Sequence, residues 1–159
     1  MKHLPFIKIF ITLTFFLLTT ICCDKEKNEF IPLDHMTFTN SYYKNSVKIS
    51  YYVLINDPDS EDNVLKTEII RYVKNRMQNN QALKDPNTVS LNFVFYKKTG
   101  NTSYFMNHKE DPGGLMSEEI SHYREDYIAN YNISKCNGGK TEKIYLHDLT
   151  EETVVNGCN

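Results

Sequence analysis

The sequence contains no tryptophan, only six glycines and five prolines in 159 residues, and only three arginines among its 18 basic side chains. So little Gly and Pro excludes collagen-like and Pro-rich architectures. Scarce Arg removes the planar fork that grips phosphate bidentately. With 20 acidic residues against the 18 basic ones, no positive excess is left to hold a nucleic-acid backbone. Nucleic acid is therefore not an expected partner. The motifs of common chemistries are missing too. The chain has no P-loop, no G-x-G-x-x-G and no H-E-x-x-H, and Gly113-Gly114 lacks the Ser of a nucleophile elbow. It has no C-x-x-C and no Cys–His zinc spacing. Nothing here is an enzyme signature, and no cofactor is expected.

What is present points first to export. Hydrophobic residues make up 40% and charged residues 24%, the balance of one ordinary folded domain. Lys2 and Lys8 precede an uncharged run from Ile9 to Ile21. At about 13 residues the run is too short for the ~20 that a transmembrane helix needs. A basic flank and an apolar stretch of this length are the n-region and h-region of a secretory signal.

Thr20-Ile21-Cys22-Cys23 followed by Asp24-Lys25-Glu26-Lys27-Asn28 resembles the end of a bacterial lipoprotein signal. The resemblance covers residues 1–28 only. It implies that a Cys becomes the acylated first residue of the mature chain. Cys23 fits best, because the small Cys22 precedes it, whereas Cys22 itself follows the bulky Ile21; Cys22 is the fallback. Residues 1–22 are then the signal peptide, 23–33 the lipid anchor and polar tether, and 34–159 a single α+β domain. The implied partner is a lipid membrane, reached through the acylated Cys, and the implied location is the bacterial cell envelope. The alternative is an ordinary cleaved signal and a secreted, unacylated protein.

Once the signal is removed and one Cys acylated, Cys136 and Cys158 remain as a natural pair for an oxidising compartment. A bridge between them would pin the chain's last segment, at roughly 3 kcal/mol of loop entropy.

The pattern along the mature chain reads βαββαβ. Val47 to Ile55 alternates as a strand, and Met36 to Tyr43 suits an extra edge strand before it. Asp57-Pro58-Asp59-Ser60 stops the strand and caps a helix from Ser60 to Gln78, with Leu65, Ile69, Tyr72, Val73 and Met77 as its buried stripe. Val89 to Lys97 is a second strand, and Gly100-Asn101 suggests a turn into a hairpin partner over Thr102 to Asn107. Ser117 would cap a second helix to Tyr131, carrying Met116, Ile120, Tyr123, Tyr127 and Tyr131 on one side. Lys143 to Leu149 closes the order as a final strand. The expected fold is a two-layer α+β sandwich: an antiparallel sheet with both helices on one face, ferredoxin-like in order.

Two groups of residues are weak metal candidates. Asp57, Asp59, Glu61 and Glu68 fall at calcium-loop spacings, but Asp62 stands where such a loop needs Gly. Glu118, His122 and Asp126 would share a helix face at a spacing able to hold a transition metal. Their simpler readings are a capped helix start and a solvated helix face. Tyr52, Tyr96 and Tyr104 are candidates for a tyrosine-rich partner surface on the open sheet face. The expected function is therefore a membrane-anchored lipoprotein whose small domain binds a protein or other partner in the envelope, an immunity-like protein being one subtype that its size and acidic balance permit. The alternative is a metal-binding or metal-dependent hydrolytic periplasmic protein.

Overall fold

The computed structural model of the chain describes residues 28–43, 46–107, 123–147 and 150–158. Strand β1 (Glu29–Pro32) leads through a 3-10 turn at Asp34–Met36 into β2 (Phe38–Tyr43) and β3 (Ser46–Asn56). Helix α1 (Asp62–Gln78) crosses to β4 (Thr88–Lys97). After the one-turn helix α2 (Tyr104–Asn107) come β5 (Tyr127–Cys136), β6 (Gly139–Leu146) and β7 (Thr150–Asn156). The strands form one seven-stranded mixed sheet in the order β1-β3-β4-β5-β6-β7, with β2 also paired to β3. β1 runs along the second half of β3 and β2 along its first half, so together they make one interrupted edge. β3 and β4 are parallel, as a crossover through α1 requires, and the other pairs are antiparallel.

This corrects the ferredoxin-like two-helix sandwich. Residues 127–131, expected to end a second helix, are the start of β5, directly preceded by the 3-10 turn Arg124–Asp126, and residues 117–122 of that expected helix lie outside the described residues. Spacings of four at Tyr123, Tyr127 and Tyr131 suit a helix face, but four is also an even number and suits a strand. Alternation decides for the strand: Ala129, Tyr131 and Ile133 are buried, while Asn130, Asn132 and Ser134 face the other way. The expected hairpin partner over residues 102–107 is instead turn and α2. β1 lies inside the segment read as tether. Phe30 holds it there by stacking on Tyr72 with ring centroids 4.6 Å apart.

Helix α1 forms as its pattern demands. Leu65, Ile69 and Val73 are buried at i, i+4 and i+8, and Tyr72 and Met77 pack beside them. The Asp59 carboxylate accepts from the Glu61 amide at 2.9 Å, holding the chain just ahead of the first turn. The stripe lies on Val53, Ile55, Leu91, Phe93, Phe95, Tyr131 and Ile133, the main core. The opposite sheet face has a smaller core of Leu33, Met36, Tyr52, Leu54, Tyr96 and Phe105. Further along, that face turns polar, with Asn92 opposite Asn132 and Lys143 opposite Thr153.

The tail is clasped. Cys136 and Cys158 form a disulfide with Cα atoms 5.7 Å apart. The Gly157 amide donates to the Lys140 carbonyl at 3.0 Å. Gly139 is required here, since a Cβ on it would stand 2.1 Å from the Gly157 carbonyl oxygen. The neighbouring Gly138 makes the β5–β6 turn at φ +85°.

Candidate functional site

Because β3 and β4 run parallel, the sheet has two distinct ends. At the entry end, β3 and β4 finish, α1 begins and His147 follows the end of β6. The described chain also starts there: the Asn28 amide donates to the Asp57 carbonyl at 3.1 Å, and its side-chain oxygen accepts from the Asp59 amide at 2.7 Å. At the far end lie the starts of β3 and β4, the β5–β6 turn and the disulfide.

Charge follows this axis. Glu29, Asp57, Asp59, Glu61 and Asp62 sit at the entry end, with Lys97, Lys98 and Arg124 as counter-charges. Lys48, Lys74, Lys84, Lys135 and Lys140 sit toward the far end, with Asp85 and Glu142 among them. The domain is thus acidic where the chain enters and basic at the other end.

Two clefts open where α1 meets the β5–β7 side of the sheet. The entry-end cleft, about 250 Å³, has Ile144 and Leu146 as its apolar floor and Asp62, Lys66, His147 and Glu152 as polar walls. Two contacts cross it: the Lys66–Glu152 ion pair at 2.7 Å, and a hydrogen bond between His147 Nε2 and the Asp62 carboxylate at 3.3 Å. The far-end cleft, about 240 Å³, lies between Val73, Lys74, Met77 and Gln78 of α1 and Ile133, Lys140 and Glu142 of the sheet.

Glu142 is only 5% exposed, the one acid buried in the described residues. Tyr131 donates its hydroxyl to it at 2.5 Å and Lys140 its ammonium at 2.6 Å. Burial pushes the Glu142 carboxyl up, but the hydrogen bonds from Lys140 and Tyr131 outweigh this and hold it below the ordinary value. Burial, followed by donation to a carboxylate, drives the Tyr131 phenol well above its usual range. Glu142 is therefore a fixed anion, and the network is structural. With Lys74 and Lys140 around one carboxylate, the cleft keeps a net positive charge.

Asp57, Asp59, Glu61 and Glu68 do not gather as a metal site. Asp59 is occupied by the Glu61 amide, and Glu68 pairs with Arg71 on the helix surface. Asp126 accepts from the Thr99 hydroxyl at 2.8 Å. Glu118 and His122 lie outside the described residues, as do Cys22 and Cys23. Among the described residues no three His, Cys, Asp or Glu side chains gather as a metal site, and no helix is long and apolar enough to cross a membrane.

The tyrosine patch is also corrected. Tyr52 is 7% and Tyr96 2% exposed, both in the second core, and only Tyr104, at 49%, reaches the surface. The rings are covered by the β1–β2 link and by residues 105–106 and 123, which a bare open face would lack. The network of Tyr131, Lys140 and Glu142 escaped the sequence reading, which began the last strand at Lys143. Its signal is the alternation Lys140-Thr141-Glu142-Lys143-Ile144, which puts Glu142 on the same face as Ile144.

Compared with protein-family models, curated proteins and solved structures, the chain matches none.

Proposed function

We propose that the protein is an envelope lipoprotein, anchored through an acylated Cys23, whose domain binds a protein partner with the end remote from the anchor. The observation that carries this reading is the Cys136–Cys158 disulfide with its glycine-lined seat, a device suited to an oxidising compartment outside the cytosol. It joins a chain whose N-terminus has the build of an export signal, and Asn28 ties that N-terminus to the opposite end of the sheet.

Binding by the sheet edges is disfavoured. The β2–β3 and β6–β7 pairings each carry a bulge, and β1 ends in Pro32, features that blunt edge pairing. The far-end cleft combines apolar walls with charge, which an anchor point for a partner needs.

Intact-mass spectrometry of the membrane fraction from cells expressing the full chain tests the anchor. The expected species begins at Cys23, carries acyl mass and lacks two hydrogens for the disulfide, and it disappears in a Cys23→Ala variant. A soluble, unacylated chain would overturn the anchor.

A further inference from the structure

We infer that the far-end cleft between α1 and β5–β6 is a docking site for an acidic peptide segment carrying an aliphatic side chain. This rests on the partner-binding reading above and assigns that partner its chemistry. The lining supplies both halves of such a ligand's complement. Val73, Met77 and Ile133 form apolar walls, and Lys74 and Lys140 stand at the mouth. A volume of about 240 Å³ admits one aliphatic side chain with its backbone. Glu142 lies beneath with its charge already taken by Lys140 and Tyr131, so an incoming carboxylate meets the net positive rim.

The surroundings extend the same preference. Lys84 and Lys135 belong to the same end of the sheet, with Asp85 beside them, and leave it net positive toward an approaching acidic segment. The entry-end cleft lacks this character, because Asp62 and Glu152 outnumber its one lysine, Lys66, whereas Lys74 and Lys140 outnumber Glu142 at the far end.

An anchor at Cys23 would limit which way the site can face. Cys23 and Asn28 are five residues apart, a link of at most about 18 Å. The 11-residue β3 spans about 36 Å between the two ends. With Asn28 held within that reach, the domain cannot stand on its far end at the anchoring bilayer, which leaves that end open to a partner in the aqueous compartment. A second copy in the same membrane holds its own acidic end at the lipid and cannot offer it to this cleft.

The test uses the full chain, purified in detergent, and two fluorescein-labelled peptides of equal length, one alternating Glu and Leu, the other Lys and Leu. Fluorescence anisotropy should show the Glu-Leu peptide binding at least about tenfold more tightly than the Lys-Leu peptide, and more weakly as salt rises. Lys74→Glu, on the exposed face of α1, should weaken binding about tenfold; because it also sets a like charge near Glu142, Lys74→Gln, which adds none, should weaken binding in the same direction with the melting temperature little changed. Asp57→Lys with Glu61→Lys, at the other end, should leave it unchanged. Equal binding of the two peptides, no binding at about 1 mM, or indifference to Lys74→Glu overturns the site. The anchor is judged separately by intact mass: a peptide-binding protein without acyl mass keeps the site and loses the orientation.

Discussion

Removing the clasp at the far end tests whether the tail is held by covalent closure and close backbone contact together. The bridge joins residues 22 apart, for which chain entropy gives about 3 kcal/mol, or roughly 10 °C in melting temperature for a domain of this size. Cys136→Ser with Cys158→Ser should lose about that much. Gly139 gives a sharper probe. A methyl group there would stand 2.1 Å from the Gly157 carbonyl oxygen, and because that oxygen is backbone no side chain can rotate away. With the bridge intact the tail has nowhere to move, and Gly139→Ala should cost about 1–3 kcal/mol, as overpacking does. With the bridge absent the tail can swing out, and the same substitution should cost less than half as much. The double-mutant cycle, measured by urea unfolding followed by circular dichroism, should therefore give a coupling of about 1 kcal/mol. Additivity within about 0.5 kcal/mol would refute the picture of a tail locked by both features at once.

The Tyr72 hydroxyl is buried and finds no hydrogen-bond partner among the described residues, so Tyr72→Phe should be neutral or stabilise by up to about 1 kcal/mol in the same unfolding assay. Glu142 titrates below its ordinary value when folded, so its contribution is present above that value and is lost as pH falls through the folded one. Tyr131 titrates above its ordinary value of 10, so its contribution is present below pH 10 and is lost as pH rises beyond it. Melting curves across pH should show both limbs, and Glu142→Gln should flatten the acid one. Tyr96→Ala should cost about 3–5 kcal/mol as a core deletion, whereas Tyr104→Ala should stay within about 0.5 kcal/mol. The reverse order would restore Tyr96 as a surface residue.

The first half of the fold was legible because its periodicities are unambiguous. Val47 to Ile55 alternates, Leu65, Ile69 and Val73 recur at helical spacing, and no second period fits either run. The second half was not, for two physical reasons. Tyr123, Tyr127 and Tyr131 satisfy helix and strand alike, and only their neighbours separate the two. β7 reads as a polar tail, because Glu151 and Glu152 look like solvent-facing charges. Their partners are on other elements: Lys143 binds Glu151 at 2.6 Å across the β6–β7 pair, and Lys66 reaches Glu152 from α1. Cross-strand neutralisation of this kind belongs to register, which no local pattern contains.

The disulfide was legible by elimination, and the far-end cleft was not, since it is built from three separated stretches. Lys74 sits in a solvated-looking stretch of α1, Ile133 in a segment misread as following a helix, and Lys140 and Glu142 just ahead of the expected last strand. Charge polarity was hidden in the same way. Along the chain acids and lysines alternate to a net charge of −2, and nothing marks a patch. The parallel pairing of β3 with β4 sorts them: each turn that follows a β3-like strand end falls at the entry end, and Asp57 to Asp62 occupies one of these. Turns at the opposite end fall to Lys84, Lys135 and Lys140. A chain with balanced composition thus becomes a domain with unlike ends, and the described chain begins at the acidic one.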